Sequence, residues 1–311
     1  MGGGGWKAIV CAGSEERSVG LTRWAMGKGL RMDAVLLRVD DAPSRYQAEV
    51  ERLSDLHEVE IRRGLRVCKY GREKILAEMS AWSRLIEDQL DEGRIILDIS
   101  AMPKRVFLFL LKILLGHRLA QDVIVTYCKP SSYPEGALSE AASAPFAIPG
   151  FARESDASDD ITLIVGVGFA AFNLEELLEQ KQGKVLKFLM PFPPASPSFR
   201  RNWALLKRLN PPGHHAEVKR IHGMDAFEAA RWIRSVGAEG NGSVEMIPLG
   251  PKPHALAMAL AYRKIGPNCQ ITYAQPTVYR HDYSLGIAET EKGGPDILAY
   301  CLRKGGREIF V

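Results

Sequence analysis

No stretch of this chain is long and apolar enough to cross a bilayer. The longest apolar run, Val106 to Leu115, is broken by Lys112 and falls short of the roughly 20 residues that a spanning helix needs. No secretory leader opens the chain, because Met1 is followed by four glycines and then Trp6. Trp6 also stands where myristoylation of Gly2 would require Ser or Thr. Membrane attachment is therefore not expected. The five cysteines, Cys11, Cys68, Cys128, Cys269 and Cys301, form no CxxC pair. That argues against a disulfide framework or a zinc ribbon and for reduced thiols in a cytosolic protein. His214-His215 is the only histidine pair and lacks Cys or carboxylate neighbours at ligand spacing, so no metal site is expected. GxSxG, HExxH and Walker A motifs are absent. A net charge of +4 is too mild for duplex DNA binding, although it leaves room for a local basic pocket.

What the chain does have, it has twice. Val125-Thr126-Tyr127-Cys128-Lys129-Pro130-Ser131-Ser132-Tyr133 returns as Ile271-Thr272-Tyr273-Ala274-Gln275-Pro276-Thr277-Val278-Tyr279, with four of nine positions identical and an offset of 146 residues. Pro103-Lys104 returns as Pro251-Lys252, Trp82 as Trp232, and Pro43-Ser44 as Pro197-Ser198. The first apolar segments, Lys7 to Val10 and Ile161 to Ile164, lie 154 apart. Five matches in one order, at half of 311 residues, imply two related domains rather than a solenoid of short units.

Each half reads as short apolar strands alternating with helices. This predicts an α/β fold: two tandem Rossmann-like domains with parallel sheets flanked by helices, related by a pseudo-twofold axis. The first domain is expected over 1–135, a linker rich in Ala, Ser and Pro over 136–160, and the second domain over 161–311. Strands are expected at Trp6–Cys11, Asp33–Val39, Val59–Val67, Arg94–Ile99 and Asp122–Tyr127. In the second half they are expected at Ile161–Val167, Val185–Pro191, Ala216–Ile221, Val244–Ile247 and Gln270–Tyr273.

Ligands of open parallel sheets bind outside the carboxyl ends of the strands, which selects a few loops. The loop after strand one carries Gly13, Ser14 and Arg17, and its counterpart carries Gly166, Gly168, Phe169 and Asn173. Small residues there let backbone N–H groups approach a phosphate or sugar. The loop after strand four carries Ser100, Lys104 and Arg105, and its counterpart Gly250 and Lys252. Proline suits a first helical turn, and a lysine beside it places an ammonium among free N–H donors, which favours an anion between them. After strand five, Tyr127 with Lys129, and Tyr273 with Gln275, offer aromatic faces and polar groups to a base or ribose. Each set has a purely structural alternative: a tight turn, a solvated lysine or a half-buried strand tyrosine. No catalytic constellation stands out, since Asp98 faces Met246 in the repeat.

The segments Asp98-Ile99-Ser100-Ala101-Met102-Pro103-Lys104 and Pro248-Leu249-Gly250-Pro251-Lys252 resemble the strand-to-helix motif of CRISPR-associated Rossmann-fold (CARF) sensor domains. They resemble equally that of the fused two-domain relatives in other antiphage systems (SAVED). That motif usually runs Asp-hydrophobic-Thr-Gly-Gly-Thr-Lys; here its paired glycines are replaced by Ala101-Met102 and reduced to Gly250. The resemblance spans nearly the whole chain. It implies a nucleotide-binding sensor of a cyclic oligonucleotide or related signal, held in a cleft between the halves, with no cofactor. No effector segment follows, so a separate effector protein is implied, and an oligomer is compatible with it. A hydrolase on the same scaffold, such as a ring nuclease or a nucleotide glycosidase, and a scaffold subunit of a defence complex are the two alternatives.

Overall fold

The computed structural model describes residues 5–30, 32–39, 44–61, 65–70, 83–84, 86–88, 93–134, 139–142, 144–154, 160–168, 185–193, 203–204, 206–207, 216–239, 242–274, 276–279 and 282–310. Among them no helix is long and apolar enough to cross a membrane. The fold is α/β, with two sheets of mostly parallel strands flanked by helices. The chain divides into two compact units, residues 1–133 with 281–310, and residues 134–280 with Val311.

The first unit holds strands β1 (Lys7–Ala12), β2 (Asp33–Val39), β3 (Leu65–Tyr70), β4 (Arg94–Asp98) and β5 (Asp122–Cys128), with β14 (Ile297–Lys304) and β15 (Arg307–Glu308). Their order is β15-β14-β5-β4-β1-β2-β3. β1 to β5 pair in parallel, and β14 runs antiparallel to β5. Ala8 to Ala12 are all buried, because helices cover both faces of a central parallel strand. Ala8, Val10, Leu21, Ala34, Leu36 and Ile96 form one core cluster; burying a side chain of leucine size stabilises by roughly 1.5–3 kcal/mol. A 3-10 turn over Glu16–Val19 leads into α1 (Gly20–Gly27). Helix α2 spans Ser44–Ile61 and α3 spans Lys104–Gly116.

The second unit holds β6 (Ser139–Ala142), β7 (Phe146–Ala147), β8 (Ile161–Gly166), β9 (Val185–Phe192), β10 (Glu217–His222), β11 (Ser243–Pro248), β12 (Cys269–Tyr273) and β13 (Pro276–Tyr279). Its main sheet has the order β10-β9-β8-β11-β12-β7, and β6 pairs separately with β13. Numbered within its own repeat, each unit shows the strand order 5-4-1-2-3 with an antiparallel strand beside the fifth. This is the doubly wound arrangement, whose order reverses between strands one and four. Helix α4 spans Ala226–Glu239 and α5 spans Lys252–Ile265. The helices after strand four, α3 and α5, are buried through most of their length.

The structure differs from the sequence reading at three places. Val59 to Ile61, expected to open strand three, continue α2. The buried stripe Val50, Leu53, Ser54 and His57 keeps helical spacing, and Val59 points outward at 65% exposure. The expected linker 136–160 contains β6 and β7, which pair with β13 and β12. The expected second domain, 161–311, loses residues 281–310 to the first unit. There Arg303, 7% exposed, donates to the carbonyls of Leu115, His117 and Ala120. It thereby caps the end of α3 and seats β14. The sequence of the second half also predicts helices over Leu174 to Gln182 and Phe199 to Leu209; the first and most of the second lie outside the described residues.

Candidate functional site

In the first unit the switch point lies between β1 and β4, and the loops leaving them touch. A side chain added at Gly13 would sit 3.5 Å from the Ala101 Cβ, an ordinary contact. Beyond Gly13 and Ser14, which are half-buried, the chain turns inward. Arg17 is 2% exposed. Its Nε donates to Glu15 Oε2 at 2.8 Å, its Nη2 lies 2.6 Å from the same oxygen, and its Nη1 donates to the Tyr127 hydroxyl at 2.7 Å. The guanidinium carbon stands 5.2 Å from the Tyr127 ring centre. Ser284, from the segment that returns to this unit, donates to Glu15 Oε2 at 2.5 Å. Burial opposes the Arg17 charge, but Glu15, Tyr127 and Tyr133 outweigh it and hold its pKa well above the usual range. Burial likewise pushes the Tyr133 phenol well above its ordinary value, with Tyr127 adding to the rise.

A second network lies beneath the loop after β4. Ser100 donates to Asp98 Oδ1 at 2.6 Å, Thr126 donates to the same oxygen at 3.0 Å, and the Cys128 amide donates to Ser100 Oγ at 2.8 Å. These bonds lock the ends of β4 and β5 together. The Cys128 thiol, pushed up to about 12 by burial first and Asp98 second, stays protonated. Lys129 pairs with Asp296 at 2.7 Å. Pro103 caps α3 in an extended conformation, φ −57° and ψ 143°, and places Lys104 at the first helical position, followed by Arg105. Both are half-buried.

The second unit repeats this helix start: Pro251 caps α5 at φ −61° and ψ 156°, and Lys252 opens it, half-buried. Around the switch point it differs. Gly166, Gly168 and Gly250 are buried. A side chain at Gly168 would fall 2.4 Å from the Leu249 carbonyl oxygen and 2.8 Å from the Gly250 Cα. One at Gly250 would fall 3.2 Å from the Val167 oxygen. These glycines let the two loops meet backbone to backbone, so at Gly168 the space a Cβ would fill is taken by protein and is no open phosphate cradle. Phe192 ends β9 at 53% exposure. His254 Nε2 lies 3.1 Å from the His222 carbonyl, which holds α5 against the end of β10.

The expected ligand contacts thus separate into groups. Arg17, Tyr127 and Ser100, each expected to face a ligand, are buried and hydrogen-bonded inside the first unit. Tyr273 is 5% exposed at the end of β12, where it serves the core. Gly166, Gly168 and Gly250 serve loop packing. Gly13, Ser14, Lys104, Arg105, Lys129 and Lys252 remain half-buried at the carboxyl edges. Phe169, Asn173 and Gln275 lie outside the described residues, as does His214-His215. No group of His, Cys, Asp or Glu among the described residues could hold a metal ion. Ser284 and Asp296 were missed in the sequence. No local motif marks them, because their partners lie more than 150 positions upstream.

No protein-family model matches the chain, and no curated protein does. Among solved structures it is similar to the binary complex of leucoanthocyanidin reductase with NADPH from Vitis vinifera. The TM-score is 0.27 at 11% identity, over 85% of this chain and 92% of that one. It is also similar to a functionally unknown protein from Pseudomonas aeruginosa PAO1, at TM-score 0.26 and 10% identity, over 87% of this chain and 92% of that one. Likenesses at this level place no function on the chain.

Proposed function

We propose that the chain binds a nucleotide signal, a cyclic oligonucleotide or a related species, at the carboxyl edge of its sheets, and acts through a separate effector protein in antiphage defence. The observation that carries this reading is the helix start built twice. After the fourth strand of each repeat an extended proline caps a long helix and a lysine opens it. Each of these helix starts stands beside the reversal of strand order, where open α/β sheets take ligands. An ammonium at a helix N-terminus opposes the helix dipole, and a phosphate bound between lysine and backbone donors complements both. Two buried acids at the first unit's edge favour sensing over hydrolysis. Glu15 is held by Arg17 and Ser284, and Asp98 by Ser100 and Thr126, which engages both as structural acceptors.

The test is thermal shift against mono-, di- and cyclic oligonucleotides, with mass spectrometry of each mixture. A ligand at about 100 times its Kd stabilises by about 2.7 kcal/mol and should be recovered intact. Lys104→Ala should weaken binding at the first unit's edge and Lys252→Ala at the second unit's edge, each about tenfold, while leaving the unliganded melting temperature within about 2 °C. Recovery of a cleaved ligand would move the reading to the hydrolase. Absence of any shift would remove the nucleotide reading.

A further inference from the structure

The net charge of +4 conceals a strong asymmetry. Residues 181–234 carry eleven Lys and Arg against three Asp and Glu, leaving thirty against thirty-four in the rest of the chain. This segment is therefore +8 and the remainder −4. Within it lies β10, the outer strand of the second unit's sheet, with β9 as its strand neighbour. β10 shows Lys219 half-buried and Arg220 exposed. Its one acid, Glu217, is tied down: Lys187 donates to it at 2.7 Å and Trp232 Nε1 at 3.3 Å. The hydrogen bond from Lys187 holds the Glu217 carboxyl below the usual range. Asp225 accepts the Glu228 amide at 2.8 Å, at the start of α4.

Beside β10 stands a tryptophan ring that carries two cations. Trp203 is half-buried against the core cluster of Leu163, Phe188 and Leu206. The Arg220 guanidinium lies 5.1 Å and the Lys207 ammonium 5.9 Å from its ring centre. A guanidinium held over a tryptophan at a sheet edge supplies what single-stranded nucleic acid requires, charge for the backbone and a planar cation, backed by the ring, on which an unpaired base stacks. Duplexes keep their bases stacked and offer no such face. A plain polyanion uses the charges and leaves the ring idle.

We propose that the basic edge of the second unit, centred on Arg220, Lys207 and Trp203, binds single-stranded nucleic acid without sequence preference. This surface is independent of the nucleotide reading, and either can fail alone. Fluorescence anisotropy of the full chain with a labelled single-stranded DNA of about 20 nucleotides tests it, alongside the matching duplex and inorganic polyphosphate. The expected result is single-strand binding that weakens steeply with salt and exceeds duplex binding. Arg220→Glu with Lys207→Glu should lower affinity about tenfold or more. Lys292→Glu, on an exposed turn of the first unit, should leave it unchanged. Trp203→Phe should keep a smaller ring behind Arg220 and lose only part of the affinity. No binding, equal binding by the charge-reversed variant, or duplex or polyphosphate preferred to the single strand would each overturn the proposal. Circular dichroism of each variant separates lost binding from lost fold.

Discussion

The two units reach the same point of the same topology with opposite materials. Where strands one and four diverge, the first unit buries a charged pair, Arg17 with Glu15, stitched to Tyr127 and Ser284. The second unit brings Gly168 against Leu249 and Gly250 and closes the junction with backbone alone. A buried ion pair depends on every partner being present, because one charge left alone in a low dielectric is costly. A glycine contact depends on the absence of atoms, and tolerates no addition. Duplication of a fold thus preserves the strand order and the proline-lysine helix starts, while each copy solves the packing of its loops separately.

The sharpest way to break the first solution is Arg17→Met. It keeps much of the side-chain volume and removes the guanidinium from beside the buried Glu15 carboxylate. We expect a loss of about 3–5 kcal/mol in urea denaturation, well above any effect of the same change at exposed Arg66. A second break uses acid. His57 lies fully buried on α2, with its pKa lowered to about 4 by burial and, secondarily, by Arg23. Its unfolded value near 6.5 is higher, so the unfolded chain binds the extra proton. Stability is therefore complete above pH 6.5 and declines as pH falls toward 4, by up to about 3 kcal/mol. His57→Leu should flatten that part of the pH–stability curve; an unchanged slope would place the titration elsewhere.

The second solution breaks by addition. Gly168→Ala should cost about 2–3 kcal/mol, because its new methyl meets backbone rather than a yielding side chain. The matched change in the first unit, Gly13→Ala, meets Ala101 at ordinary van der Waals distance and should shift stability by no more than about 0.5 kcal/mol. Equal losses from both substitutions, measured by denaturation, would erase the contrast between the two junctions.

The repeat was legible because strand and helix periodicity is local. The apolar runs of β1, β4 and β8, and the proline-lysine pairs that open α3 and α5, announce themselves within a few residues. What stayed hidden depends on distance along the chain. β14 reads as the tail of a polar, glycine-bearing segment until β5 supplies its antiparallel partner. Arg17 reads as a ligand contact because it lies in the small, polar loop that leaves strand one at the carboxyl end of the sheet. Its burial rests on Glu15 beside it and on Tyr127, remote in sequence, with Ser284 completing the Glu15 carboxylate. Gly168 read as a phosphate contact for the same reason: a missing side chain signals a close approach without naming what approaches.

The return of 281–310 to the first unit makes the second unit an insertion in the path of the first. On the ribosome, all of residues 134–280 emerge before the first unit can complete its sheet. Until then β5 lacks its β14 neighbour, the end of α3 lacks Arg303, and Glu15 lacks Ser284. The second unit is contiguous and can close as soon as it is made. The order of synthesis and the order of assembly therefore run in opposite directions: the half translated first is the half finished last.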